Sequence, residues 1–368
     1  MSDSVPDSVS VALAAHIRQG IVDAGGWVPF DRFMDWALYT PGLGYYASGS
    51  RQFGLMPSSG SDFVTAPELS PFFARALAVQ VRQGLSASAS GEVWEFGAGS
   101  GALAEGLLQS LHAMGHEVQR YTIVDVSGAL RQRQRERLAP FGDRVQWVDR
   151  LPAAMAGVVV GNEVLDAMPA RLLAFDGSQW RERGVAVHEG AFAFADVETD
   201  ARPPLHEAFG AGAVTEVQPQ AQAFIATLAE RLRHGMALFI DYGFPEAEYY
   251  HPQRSSGTLM CHRAHLADGN PLVEVGCKDI TVHVDFTATA LAAQDAGMRV
   301  AGYTSQGRFL LNCGLVGLLE NATLAERTLA RKLVDEHEMG ELFKVLALSR
   351  GIEIDPVGFN VGDRMHRL

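Results

Sequence analysis

Lysine is almost missing from this chain of 368 residues: Lys278, Lys332 and Lys344 stand alone among 30 basic residues, the rest being arginine. That bias reads as genome composition rather than function. Positive charge is also in deficit, since 43 acidic residues leave a formal net charge of −13. Such a surface repels phosphates in bulk, which argues against a nucleic acid substrate, while it would tolerate and help steer a basic protein partner. Cysteine is scarce: Cys261, Cys277 and Cys313 are odd in number, widely spaced and form no C-x-x-C pair. A reducing cytoplasm is the simplest setting. Long apolar runs are lacking too. The longest, around Leu310 to Leu319, is broken by Asn312 and is too short to span a bilayer. The opening MSDSVPDS is acidic and polar and the first basic residue is Arg18, so no secretory signal or mitochondrial presequence is expected. What remains is an ordinary globular composition, 47% hydrophobic and 20% charged, with ample material for a large core.

Two halves differ in pattern. Residues 1–90 read as a helical cap: VSVALAAHIRQGIVDA and FDRFMDWALY carry apolar residues at helical spacing, and SSGSDFVTAPELSP is a long loop ahead of the helix FFARALAVQVRQGL. From Gly91, strand and helix alternate: EVWEFG, ALAEGLLQSLHAMG, YTIVDV, SGALRQRQRERL, VQWVD, then GVVVGNEVLDAMP as a fourth strand and a helical turn. Alternation of this kind implies an α/β fold with a parallel sheet covered on both faces. The core spans 91–350, interrupted by insertions at about 174–213 and 244–285, and 351–368 form a tail. The late strand FKVLALS, returning after a long helical excursion, suits an antiparallel final hairpin.

The junction of the first strand and helix reads Glu95-Phe96-Gly97-Ala98-Gly99-Ser100-Gly101. Glycines allow the tight turn and a close ligand approach, and the helix N-terminus offers unpaired N–H groups. Two cofactors fit. One is S-adenosylmethionine, with Glu95 near its ammonium group, Asp125 accepting the ribose hydroxyls, and Val126 and Ser127 beside the adenine. The other is a dinucleotide, since Gly97-x-Gly99-x-x-Ala102 satisfies that fingerprint with Asp125 as the ribose acid. Glu95, the roughly 90 residues ahead of the strand and an acidic turn after strand four favour the first.

That turn is Asn162-Glu163-Val164-Leu165-Asp166-Ala167-Met168-Pro169, emerging where open parallel sheets bind ligands. If the chain turns helical at once, Glu163 and Asp166 share a face. Paired carboxylates suit a guanidinium, which brings five donors and holds its proton tightly. The plainer alternative makes Asp166 a helix cap and Glu163 a solvated side chain. Thr65, Pro67 and Glu68 read as a lid over the cofactor or as a helix-capping loop. The scattered His and Cys residues match no zinc motif, so no metal is expected. The basic run Arg131 to Arg137 reads as a solvated helix face.

Taken together, these segments resemble the MidA-like methyltransferases, nearly end to end. The matching motifs are Tyr39-x-Pro41-x-x-Gly44-Tyr45-Tyr46, Asp62-Phe63-Val64-Thr65-Ala66-Pro67-Glu68, the glycine run, the acidic turn, Asp241-Tyr242-Gly243, Gly257-Thr258-Leu259, Asp279-Ile280-Thr281-x-His283-Val284-Asp285-Phe286 and Thr304-Ser305-Gln306. Ser61 and Met260 depart from the family's pattern. The resemblance implies a class I, Rossmann-like methyltransferase fold: a mostly parallel seven-stranded sheet with an antiparallel last strand. It implies S-adenosylmethionine as cofactor, S-adenosylhomocysteine as product and a protein arginine as acceptor, which in mitochondrial relatives lies on a core subunit of respiratory complex I. Catalytic candidates are Glu163, Asp166, His283 and Asp285. The last two alternate with Val282, Val284 and Phe286, so a continuous strand would put both on one face. Cofactor-binding candidates are Glu95, Gly97, Gly99, Gly101, Asp125, Val126, Ser127, Asn162, Thr65, Pro67 and Glu68. The expected partner is a protein substrate, a complex I subunit among the candidates, and a homo-oligomer is left open. Two rival functions stay open at this point: an assembly chaperone keeping a residual cofactor site, and an NAD-linked oxidoreductase.

Overall fold

The computed structural model describes residues 8–48, 65–125 and 127–368. The chain divides into two compact units. One gathers the described residues of Met1–Phe63 with Asp166–Ala221 and Glu246–His283; the other gathers those of Val64–Leu165 with Gln222–Pro245 and Val284–Leu368.

The larger unit is built on a sheet of seven strands: β1 (Glu92–Phe96), β2 (Arg120–Val124), β3 (Val145–Val148), β4 (Met155–Asn162), β5 (Leu232–Phe244), β6 (Arg299–Ser305) and β7 (Phe343–Arg350). Their spatial order is β6-β7-β5-β4-β1-β2-β3, and a two-residue strand, Val284–Asp285, pairs parallel with β5. All pairs from β5 to β3 are parallel, while β7 runs antiparallel to both β5 and β6. This is the mostly parallel sheet with an antiparallel last strand expected from the alternation. Burial explains it. Val158, Val159 and Val160 are fully removed from water, as are Met236, Ala237, Leu238 and Phe239. Continuous apolar strands of this kind need cover on both faces, and each large side chain so buried contributes about 1.5–3 kcal/mol.

The helix Pro71–Ala87 belongs to this sheet unit, so the boundary falls ahead of it rather than at residue 90. Ser70 caps the helix by accepting from Phe72 N at 3.4 Å, Pro71 sits at its first turn, and Phe72, Phe73, Leu77, Val81 and Leu85 enter the sheet core.

The smaller unit has its own core. Helix Ser8–Asp23 buries Leu13, Ile17 and Ile21, a stripe at spacing four, and helix Phe30–Tyr39 adds Phe30, Phe33, Met34, Ala37 and Leu38. They share that core with Leu172 and Val185 of an antiparallel sheet formed by Trp27–Pro29, Arg171–Phe175, Trp180–His188, Ala191–Glu198 and Val214–Val217. A second antiparallel sheet joins Met260–Arg263 to Leu266–Asp268 and Asp279–Thr281. The two segments that interrupt the alternation and the N-terminal helices are therefore one body, though they are far apart along the chain.

Candidate functional site

β1 ends at Phe96, and the loop after it takes backbone conformations that disfavour any side chain. Gly97, Gly99 and Gly101 have φ of +62°, +52° and +83°. A Cβ at Gly97 would come within 3.2 Å of Val164 Cγ2. Helix Ala102–Ala113 starts immediately, so its first N–H groups face the loop. At the end of β2 the buried Asp125 is held by Ser127 N (2.8 Å) on Oδ1 and Gln134 Nε2 (2.7 Å) on Oδ2. Gln134, fully buried, also donates to Gly99 O at 3.0 Å and accepts from Trp147 Nε1 at 2.9 Å. It ties the glycine loop to the acid, and nothing in its local sequence marks it. Ser127 is buried and caps helix Gly128–Leu138 by accepting from Leu130 N. Val126 lies outside the described residues.

Glu95 points into the sheet unit rather than outward. It is 2% exposed and accepts from Tyr121 Oη at 2.6 Å. Burial, opposed by that hydrogen bond, pushes its carboxyl up to about 8. Of the lid loop, Asp62, Phe63 and Val64 lie outside the described residues. Thr65 is the cap position of a short helix, Ala66–Leu69, that contains Pro67 and Glu68, and its side chain makes no capping bond. Glu68 accepts from Ser100 Oγ in the glycine loop and from Arg137 at 3.0 Å. Arg137 also reaches Ser100 Oγ (2.7 Å) and Glu105 (3.2 Å). Arg131 donates to the backbone carbonyls of Asp125 (2.8 Å) and Val148 (2.9 Å). The expected solvated face of Arg131 to Arg137 is thus corrected at both its ends: these two arginines tie loops around the glycine turn.

The acidic turn is not helical. Glu163 follows β4 in the left-handed region at φ +53°, and the chain from there to Pro169 forms only bends and a turn. The shared helical face expected of Glu163 and Asp166 does not exist, nor does a helix for Asp166 to cap. A non-glycine residue in that region costs about 1–3 kcal/mol and persists only where its surroundings dictate it. Asp241 of β5 supplies that constraint. Its Oδ2 accepts from Val164 N (3.2 Å) and Leu165 N (3.0 Å), its Oδ1 accepts from Tyr242 N (3.0 Å), and Glu163 N donates to Ile240 O (2.9 Å). Asn162 Nδ2 donates to Glu163 Oε1 at 2.9 Å, while Asn162 Oδ1 is buried without a hydrogen-bond partner among the described residues. A buried acceptor in that state is costly unless a ligand donor meets it. A cationic ammonium beside the glycine loop is such a donor.

Asp166, three residues along, falls in the smaller unit, where its carbonyl accepts from Val282 N at 3.0 Å. Tyr39 Oη donates to Ala167 O (2.9 Å) and Tyr46 Oη to Asp279 Oδ1 (2.8 Å), with the two rings stacked. Burial, then the charge of Asp279, holds the Tyr46 phenol well above its ordinary value, so it remains a donor. His283 follows the strand Asp279–Thr281, and its N–H donates to Thr258 Oγ1 at 3.0 Å. Asp285 is the N-cap of helix Phe286–Asp295, accepting from Ala288 N at 3.0 Å. The continuous strand expected from Val282 to Phe286 is therefore corrected: strand structure lapses at Val282 and His283, and Phe286 is helical.

Taken residue by residue, the sheet unit can hold the parts of S-adenosylmethionine. Helix N–H groups and glycine backbone suit its carboxylate, Asn162 Oδ1 its ammonium, and Asp125 its ribose. Comparison with known proteins points to the same cofactor. A family model described as "Putative S-adenosyl-L-methionine-dependent methyltransferase" matches residues 73–304. A Burkholderia thailandensis structure described as a "likely methyl transferase" bound to S-adenosyl-homocysteine is 50% identical, with all of both chains covered and a TM-score of 0.95. A mitochondrial relative from Drosophila melanogaster, the protein arginine methyltransferase NDUFAF7 homolog, is 26% identical over 95% of this chain and 88% of its own. One from Caenorhabditis elegans with the same name is 24% identical over 93% and 88%. The fold is that of Rossmann-like methyltransferases and the cofactor is S-adenosylmethionine; the NAD alternative falls.

Proposed function

Since the chain belongs to this family of S-adenosylmethionine-dependent methyltransferases, we propose that it methylates an arginine side chain of a protein. When bound, the cofactor supplies an electrophilic methyl group on a sulfonium and leaves as S-adenosylhomocysteine. The observation that carries the arginine reading is the strained acidic turn: Glu163, at φ +53°, is held by Asp241 and Asn162 at the end of β4. A guanidinium keeps its proton to about pH 12, so its nitrogen attacks only if a base accepts that proton as the new bond forms. Glu163 is that base, and its carboxylate pairs with the planar fork through parallel hydrogen bonds. Asp166 and His283 are the smaller unit's candidates for holding the protein substrate. The names of the NDUFAF7 relatives support the choice of arginine. A respiratory complex I subunit is the first acceptor to test, and a cytoplasmic setting goes with the three widely spaced cysteines.

The test is mass spectrometry of the proteome with and without this gene. An arginine site whose methylation vanishes in the deletion and returns with the wild-type chain, but not with Glu163→Gln, supports the reading. Label from the cofactor found on lysine, a carboxylate or a small molecule overturns it. An assembly chaperone keeping a residual cofactor site would transfer no label at all.

A further inference from the structure

Glu216 plays no part in the motifs above, yet it is fully buried in the smaller unit and none of its donors among the described residues is cationic. Oε1 accepts from Thr258 N (2.8 Å) and Leu259 N (3.0 Å). Oε2 accepts from Thr258 Oγ1 (3.1 Å) and Tyr249 Oη (3.2 Å). Two successive backbone N–H groups on one oxygen form a small anion nest. The backbone approaches closely enough that a Cβ on Gly257, at φ +72°, would lie 2.2 Å from Oε1. Removing a carboxylate from water is expensive, and apolar packing would fill the same space more cheaply.

Its consequence runs through Thr258. A hydroxyl has one proton and two lone pairs. With Thr258 Oγ1 donating to Glu216 Oε2, its lone pairs are left for Tyr249 Oη, 3.2 Å away, and for His283 N at 3.0 Å. One residue earlier, Val282 N is held by Asp166 O at 3.0 Å. The His283 backbone is thus anchored on consecutive N–H groups, one of them set by Glu216.

We propose that Glu216 is a positioning residue: through Thr258 it fixes the His283 segment, and with it the place of the protein acceptor. The proposal rests on His283 belonging to the substrate side. Four variants test it: Glu216→Ala, Thr258→Val, which keeps the volume but removes the hydroxyl, Thr258→Ser, which restores it, and Glu216→Gln. The probe is tritiated S-adenosylmethionine with total protein from cells lacking the gene. The half-saturating acceptor concentration should rise roughly tenfold in Thr258→Val and Glu216→Ala, which is what one ordered hydrogen bond is worth. Maximal rate and S-adenosylhomocysteine affinity should stay within a few-fold. Thr258→Ser should return to wild type, and Glu216→Gln, which can keep both N–H bonds, should fall between. Hydrogen exchange at the His283 amide should speed in Thr258→Val and recover in Thr258→Ser. If Glu216→Ala fails to fold, Thr258→Val decides. Folded variants with wild-type half-saturation and wild-type exchange overturn the proposal. Failure of the arginine reading shows elsewhere, as wild-type label absent from methylarginine after hydrolysis.

Discussion

Glu95 in the sheet unit and Glu216 in the smaller unit are both carboxylates removed from water, but their surroundings differ in kind. Among the described residues Glu95 has one donor, the Tyr121 hydroxyl, and burial drives its carboxyl up to about 8. Glu216 is also raised by burial, but two N–H groups and two hydroxyls oppose the shift. Two of those four are obligate donors, both held on Oε1. A buried acid with a single donor acts as a proton store; one with four acts as a clamp. The units divide similarly. The candidate cofactor groups of the sheet unit sit at strand ends, where fold topology puts them, whereas the smaller unit places its polar groups through long-range hydrogen bonds.

The pH dependence of stability should expose that contrast most strongly. Glu95 keeps its proton to about pH 8 when folded but releases it near the ordinary 4.5 when unfolded. The folded state then binds more protons between those values, so stability is full below 4.5 and is lost as pH rises through 8. At 1.36 kcal/mol per unit the swing approaches about 5 kcal/mol. Glu95→Gln should flatten urea-unfolding free energies across this window. An unchanged slope in the variant would show that Glu95 is ionised in the fold, as an acid meeting an ammonium would be.

Next in size is Glu163→Gln, which keeps the shape of the turn and the acceptor for Asn162 but loses the charge. Turnover should fall by roughly 100-fold or more, as general-base and positioning losses do, with cofactor affinity within a few-fold. Loss of binding instead, by calorimetry with S-adenosylhomocysteine, would move Glu163 to the cofactor. Gly99→Val tests the other side. At 100 times its dissociation constant the product should stabilise the wild type by about 2.7 kcal/mol, and the variant should show no such gain in a thermal melt. A retained shift would mean that the loop backbone does not approach the ligand.

What could be read from sequence follows the same division. Alternation and apolar runs disclosed β1 to β5 and the glycine turn because periodicity and strand ends are local facts. Asp125 sits at the end of β2, as local reading has it. Gln134 was opaque, and so was the role of Asp241, whose motif alone was matched: each acts by reaching a backbone distant in sequence, Gly99 for one and Leu165 for the other. The smaller unit was opaque as a whole, since three segments that look like a cap and two insertions share one core. The helical turn at Glu163 failed for a different reason. Val164-Leu165 reads as helix by pattern, but Asp241 takes both N–H groups and bends the chain through a left-handed residue.

The smallest expected effect concerns Asp285, which sequence pairs with His283 as a second catalytic candidate. Their fates in the structure diverge at the unit boundary, His283 closing one segment and Val284 opening the next. Asp285 Oδ1 accepts from Ala288 N at 3.0 Å, the geometry of an N-cap, at the start of a helix whose Phe286 is fully buried. A cap replaced by alanine costs about 1 kcal/mol, while serine and asparagine preserve most of it. Asp285→Ala should therefore lower the urea midpoint by about that much, Asp285→Ser should recover it, and both should methylate within a few-fold of wild type. The comparison with Glu163→Gln is what gives the experiment its edge, because one carboxylate should move turnover without stability and the other stability without turnover. If Asp285→Ser is as stable as wild type yet loses turnover 100-fold, the cap is incidental. The charge of Asp285 then belongs to the chemistry, and the acid that takes the proton has to be sought on both sides of the turn.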